Sequence, residues 1–81
     1  MSLVELTEFI VKSLVADEDS VSVKEFETDD NEITIEIVVS ESEAGSLIGK
    51  GGKTINSIRT ILQASSYLKE NKKVKVNIST F

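Results

Sequence analysis

Three glycines and two lysines fall within five consecutive residues, Gly49-Lys50-Gly51-Gly52-Lys53. These are residue types that hold phosphate. Glycine serves where the backbone must take positive φ or let another chain come close, so Gly49, Gly51 and Gly52 leave bare N–H groups facing outward. Directly afterwards Ile55, Ile58, Ile61, Leu62 and Leu68 recur at helical spacing. The turn therefore opens onto a helix N-terminus, whose unpaired N–H groups and partial positive charge favour an anion. Lys50 and Lys53 add mobile charge. The chain has neither cysteine nor histidine, which removes disulfides, thiolate nucleophiles, the usual zinc ligands and the imidazole suited to proton transfer near neutral pH. The chemistry expected is grip rather than bond making, with no catalytic residue, no metal, no cofactor and no small-molecule substrate.

Two glycine motifs compete for this stretch. Gly52-Lys53-Thr54 supplies the ending of a Walker A loop, but that motif requires a glycine five residues before Gly52, where Leu47 stands, and a strand running straight into the loop. An NTPase also needs more chain, and a hydrolase would need an acidic metal site, for which Glu41 and Glu43 are the near candidates. The second motif is GxxG, which Gly49-Lys50-Gly51-Gly52 fits.

The net charge of −5 looks wrong for a nucleic-acid binder until its distribution is read. Residues 1–48 hold thirteen acids against Lys12 and Lys24, a net −11. Residues 49–81 hold seven basic residues against Glu70, a net +6. Such one-sidedness is an electrostatic footprint on a small fold. At 81 residues the chain has material for one domain and one core. No apolar run approaches the roughly 18 residues of a membrane span, and Glu5 and Glu8 stand where a signal peptide would be basic. A cytoplasmic protein with no membrane association is expected.

The elements that must position the turn can be read in order. Ser2 and Glu5 have capping-box spacing ahead of a broad apolar stripe that predicts a helix to about Ala16. Phe9 lies at the rim of that stripe and is expected to fold over the sheet edge. Val21, Val23 and Phe26 predict an edge strand to about Thr28, Asp29-Asp30-Asn31-Glu32 a turn, and Ile33, Ile35, Ile37 and Val39 a strand with one face on the core. Ser40 with Glu43 predicts a second capping box and a short helix from about Glu41 to Ile48. The third helix is expected from about Lys53 to Leu68 or Lys69, and Val74, Val76 and Ile78 mark the last strand. The short link makes the first two strands antiparallel, and the two-helix excursion permits a right-handed crossover that returns the third parallel to the second. The predicted fold class is α/β in the α+β sense: a two-layer sandwich of order α-β-β-α-α-β, with a three-stranded mixed sheet carrying its helices on one face.

The run Leu47-Ile48-Gly49-Lys50-Gly51-Gly52-Lys53-Thr54-Ile55-Asn56-Ser57-Ile58-Arg59 resembles the signature of RNA-binding KH modules, in which GxxG clamps the backbone of about four nucleotides. The element order is similar to the type II KH arrangement, and a free-standing domain of this length resembles the small bacterial KhpA family of RNA-binding proteins. That resemblance implies a single KH domain over residues 1–81, acting as an RNA chaperone or post-transcriptional regulator, as a homodimer or a heterodimer with a larger KhpB-like KH protein. The implied RNA-binding residues are Ile48, Gly49, Lys50, Gly51, Gly52, Lys53, Ile55 and Arg59. In that scheme the N–H groups of Gly51, Gly52 and Lys53 hold phosphates while bases turn into an apolar groove lined by Ile48 and Ile55, with Ile58 expected in the core rather than in the groove. Arg59 is placed to reach a phosphate or to pair with an acid from the first half. On the third helix Asn56, Thr60, Gln63, Ala64 and Tyr67 cluster away from the core without a charge, a candidate partner interface. The alternative is a KH-shaped protein-interaction module with little RNA affinity, which the acidity would allow.

Overall fold

The strand around which the chain folds is β2, Glu32–Val39, whose strict alternation buries Ile33, Ile35, Ile37 and Val39 on one face and half-buries the residues between them. The computed structural model describes residues 1–29 and 31–81. β1, Ser22–Asp29, pairs with β2 antiparallel, and β3, Lys73–Thr80, pairs with it parallel, giving the order β1-β2-β3. The link between β1 and β2 carries the turn expected from composition. Within it the Asp29 carboxylate accepts the Asn31 N–H at 2.7 Å, a side-chain bond that favours a turn, while Asp30 lies outside the described residues. Because Val23 and Phe26 are an odd number of residues apart, they point to opposite faces. Phe26 pairs with Thr34 and is exposed on the face without helices.

Helices α1 (Leu3–Leu14), α2 (Glu41–Ile48) and α3 (Lys53–Lys69) cover the other face. The core joins the four β2 side chains to Leu3, Val11, Leu47, Ile58, Leu62 and Val76 among others. Each such aliphatic contributes about 1.5–3 kcal/mol by leaving water. The Ser2–Glu5 capping box is formed: Ser2 Oγ accepts the Glu5 N–H at 3.1 Å and the Glu5 carboxylate accepts the Ser2 N–H at 3.0 Å. The bond from the Ser2 backbone, then that from its side chain, holds the Glu5 pKa below the usual glutamate value.

The sequence expectations need three corrections. α1 ends at Leu14 rather than Ala16, because the Ala16 N–H is taken by Glu43 Oε2 at 2.7 Å and the chain then makes a 3₁₀ turn over Glu18–Ser20. The Ser40–Glu43 capping box does not form. Ser40 stands at the N-cap without capping a backbone N–H, its hydroxyl shared with that of Ser42, while Glu43 serves the distant Ala16. Phe9 does not fold over the sheet but is exposed on α1.

Candidate RNA-binding loop and cleft

The loop between α2 and α3 takes its shape from its glycines. α2 ends where the Gly49 N–H reaches Gly45 O at 2.9 Å, and Gly49 then adopts φ 74, ψ 175, a region open essentially to glycine alone. Gly51 and Gly52 follow at φ 66 and 79, with Lys50–Gly52 forming a tight turn. Space as well as φ requires glycine at position 49, because a β-carbon there would stand 2.8 Å from Thr54 Cβ and 2.9 Å from its nitrogen. At Gly51 nothing lies within 4 Å, so this corner of the loop is open to an approaching chain.

The donor set differs from the one the sequence suggested. The Gly52 N–H donates to Gly49 O at 3.2 Å and the Lys53 N–H to Lys50 O, so both are used within the turn. Gly52 occupies the N-cap of α3 and no side chain caps that end. The first-turn amides of Thr54 and Ile55 therefore lack an intrahelical acceptor. Lys50 and Lys53 are exposed beside them, and among the described residues neither is in an ion pair.

The isoleucines separate. Ile48 is 42% exposed at the end of α2, whereas Ile55 is 6% exposed and belongs to the core with Ile58. Ile55 thus does not line an open groove, and Ile58 lies in the core as expected: both fall on the α3 stripe Ile55, Ile58, Leu62, Ser66 that packs inward, and Ile48 is the open apolar residue by the turn. Among the described residues Arg59 pairs with no acid. Its Nη1 donates to Asn56 Oδ1 at 2.9 Å and its Nη2 to Val76 O at 3.2 Å, which lays the guanidinium between α3 and β3.

Beyond Arg59 a groove of about 440 Å³ continues along the α3–β3 seam, lined by Arg59, Thr60, Gln63, Ala64, Tyr67 and Val74. Four of the proposed interface residues are therefore together, but Gln63 differs from the rest because both ends of its amide are bonded to backbone, Nε2 to Lys72 O just before β3 and Oε1 to the Val74 N–H within it. Two apolar residues of the helical pattern adjoin this face outside the core: Ile61 is 47% and Leu68 88% exposed. Their angular distance from Leu62 and Ser66 was the available signal. The basic half also divides. Val74 lies opposite Gln63 and Val76 opposite Arg59, so β3 runs back along α3 toward the turn. Lys72 and Lys75 therefore lie toward the other end, each 3.6 Å from an acid, Glu27 and Glu32. Among the described residues no group of three or more acidic side chains is placed to hold a metal, and no helix is long and apolar enough to cross a membrane.

A mixed three-stranded sheet in the order β1-β2-β3, backed by helices in the order α-β-β-α-α-β and carrying GxxG between its last two helices, is a KH domain of the type II arrangement. Era, crystallised in complex with MgGDPNP and nucleotides 1506–1542 of 16S ribosomal RNA, shares the fold at a TM-score of 0.73 and 21% identity, over 98% of this chain and 30% of that one. A family model for the KH domain of KhpA and KhpB matches residues 4–78, and the chain belongs to that family. It is 43% identical over 75 residues to the RNA-binding protein KhpA of Borreliella burgdorferi, covering 93% of this chain and 89% of that protein. It is also 43% identical over 74 residues to RNA-binding protein KhpA of Clostridium perfringens, covering 91% and 96%.

Proposed function

We propose that the 81 residues act as one KH domain, a non-catalytic single-stranded RNA-binding protein of the cytoplasm that grips the RNA backbone with the Gly49–Gly52 loop. The observation that carries this reading is the combination at one point of positive-φ glycines, an uncapped helix N-terminus and the exposed Lys50 and Lys53. Phosphates would sit against the amides of Gly51, Thr54 and Ile55 and against the two ammonium groups. Bases would turn past Ile48 toward Arg59 and the β3 edge. The relatives named as RNA-binding proteins support the same class.

A clamp of two or three phosphates is weak, and the aromatics Phe9, Phe26, Tyr67 and Phe81 offer few stacking platforms. Weak, promiscuous contacts suit an RNA chaperone or post-transcriptional regulator, and a second module would raise avidity without new contacts. The uncharged exposed face of α3, with Thr60, Ala64 and Tyr67 flanked by Ile61 and Leu68, favours a second KH domain as that module, in a homodimer or a heterodimer with a KhpB-like protein.

Fluorescence anisotropy with a short mixed-sequence single-stranded RNA at low salt tests the clamp, comparing the wild type with Lys50→Asp, Gly51→Asp. Salt-sensitive binding that the double variant loses supports it. Absence of wild-type binding at high protein concentration gives the lead to a KH-shaped protein-interaction module.

A further inference from the structure

β3 is an edge strand. Lys73 stands in register with Glu32 and donates its N–H to Asn31 O at 2.8 Å, so the odd-numbered residues of β3 bond to β2. Val74, Val76 and Ile78 consequently turn their N–H and C=O groups to the open side. Such a row is a template for any partner with donors and acceptors at matching intervals.

α3 closes part of that row from above. The Gln63 side-chain amide takes the place of a neighbouring strand: Oε1 accepts the Val74 N–H at 2.9 Å and Nε2 donates to Lys72 O at 2.9 Å. Ser66 Oγ adds a second donor to Lys72 O at 2.8 Å. Arg59 covers Val76 O with a single longer bond, and among the described residues no side chain is bonded to the outward groups of Ile78, the next residue toward the GxxG loop.

We infer, resting on the RNA-clamp reading, that Gln63 is a specificity-limiting residue that ends the stretch of β3 edge able to read bases. Outward residues recur about every 6.6 Å along a strand, close to the step of an extended single strand, so each can serve one base. Gln63 satisfies the Val74 donor and the Lys72 acceptor together, and a base could displace it only by breaking two neutral bonds in a half-buried seam. Arg59 is a different kind of cover. Its one 3.2 Å bond is exchangeable, and a guanidinium released from Val76 O can itself donate to a base or phosphate. Readout is therefore confined to the positions beside Val76 and Ile78, next to the clamp. RNA continuing past them meets Gln63 and finds no backbone group to pair with. A window of about two bases gives low sequence selectivity, the property that a binder of many RNAs requires.

The test follows backbone amides of the full chain by NMR during titration with a mixed-sequence single-stranded RNA long enough to span the edge. In the wild type the Val74 amide should exchange slowly and stay unchanged on titration, while the Ile78 amide gains protection. In Gln63→Ala the Val74 amide should exchange fast when free and regain protection with RNA. The shortest oligonucleotide giving full affinity should lengthen by about one nucleotide. Gln63→Met, similar in volume but without the bonds, should also free the Val74 amide, separating lost bonds from lost packing. The inference is overturned if RNA perturbs Val74 in the wild type as strongly as Ile78, or if the length threshold is unchanged in Gln63→Ala. Should the variants not fold, the wild-type titration decides alone. A wild type whose Gly51 and Thr54 amides also ignore RNA overturns the clamp reading itself, whereas responsive loop amides with an unresponsive Ile78 overturn only the role given to Gln63.

Discussion

The side chain of Thr54 occupies the space that a β-carbon on Gly49 would need, with its Cβ 2.8 Å and its backbone nitrogen 2.9 Å from that position. Two constraints thus coincide at Gly49, steric contact and a φ, ψ of 74, 175. Gly49→Ala should lose about 1–3 kcal/mol to backbone strain and a similar amount to overpacking. Gly51→Asn, in open space at φ 66, ψ 20, should cost about 1 kcal/mol or less, because asparagine tolerates the left-handed region. Urea unfolding of the two variants checks the contrast, and equal losses would show that Thr54 does not set the loop.

The same contrast makes the acidic double variant a clean probe of RNA binding. Aspartate, like asparagine, is tolerated at left-handed positions, and Lys50 is exposed without an ion pair among the described residues. Lys50→Asp, Gly51→Asp should keep its far-ultraviolet spectrum and lose affinity for single-stranded RNA by at least about tenfold at low salt, since two phosphate contacts turn repulsive. For the wild type, two or three neutralised phosphates predict a log–log salt slope of about −1.4 to −2. A slope near zero would mean that the loop does not touch the backbone.

What could be read from sequence followed the range of the interaction concerned. The β2 alternation and the Ser2–Glu5 box are local and were legible. Ser40 and Glu43 have the same spacing as Ser2 and Glu5, yet Glu43 finds an N–H on Ala16, 27 residues away, and only tertiary packing decides that competition. Ile48 and Ile55 both flank the glycine turn, but Ile55 alone falls on the inward stripe of α3. Ile61 and Leu68 fit a helical period equally well whether buried or not. The bonds from Gln63 to Lys72 and Val74 depend on where β3 crosses α3, which no local pattern encodes.

The exposed apolar side of α3 provides the test of self-association. Tyr67 is 56% and Leu68 88% exposed, so replacing them removes little from the monomer core. Tyr67→Ala, Leu68→Lys should change monomer stability by no more than about 1 kcal/mol, two surface substitutions of about 0.5 each. It should abolish any dimer seen by sedimentation equilibrium. A dimer that survives the double variant places the contact on another surface.

Glu43 ties the exit of α1 to the start of α2, the helix that delivers the chain to the glycine loop. Its Oε2 accepts the Ala16 N–H at 2.7 Å in an exposed setting, so Glu43→Ala should cost about 1.5 kcal/mol in urea unfolding, the low end for a bond to a charged acceptor. Glu43→Gln, which keeps an acceptor oxygen, should recover most of it. Equal losses in both would assign the effect to charge rather than to the tether.

The capping box at the start of α1 predicts the acid behaviour. Glu5 has its pKa lowered in the folded protein by the bonds from the Ser2 backbone and side chain, so the folded state binds a proton there less readily than the unfolded chain does. The stabilisation is fully present above the ordinary glutamate pKa and is lost as pH falls through the lowered folded value. Glutamine can occupy the same position of a capping box, so Glu5→Gln isolates the charge. The Tm of wild type should exceed that of Glu5→Gln by a constant margin at neutral pH, and the margin should close in the acid range just below the usual carboxylate titration. A margin that persists unchanged to the lowest pH at which the fold survives would show that the Glu5 charge contributes nothing, leaving its hydrogen-bond geometry as the whole of the effect.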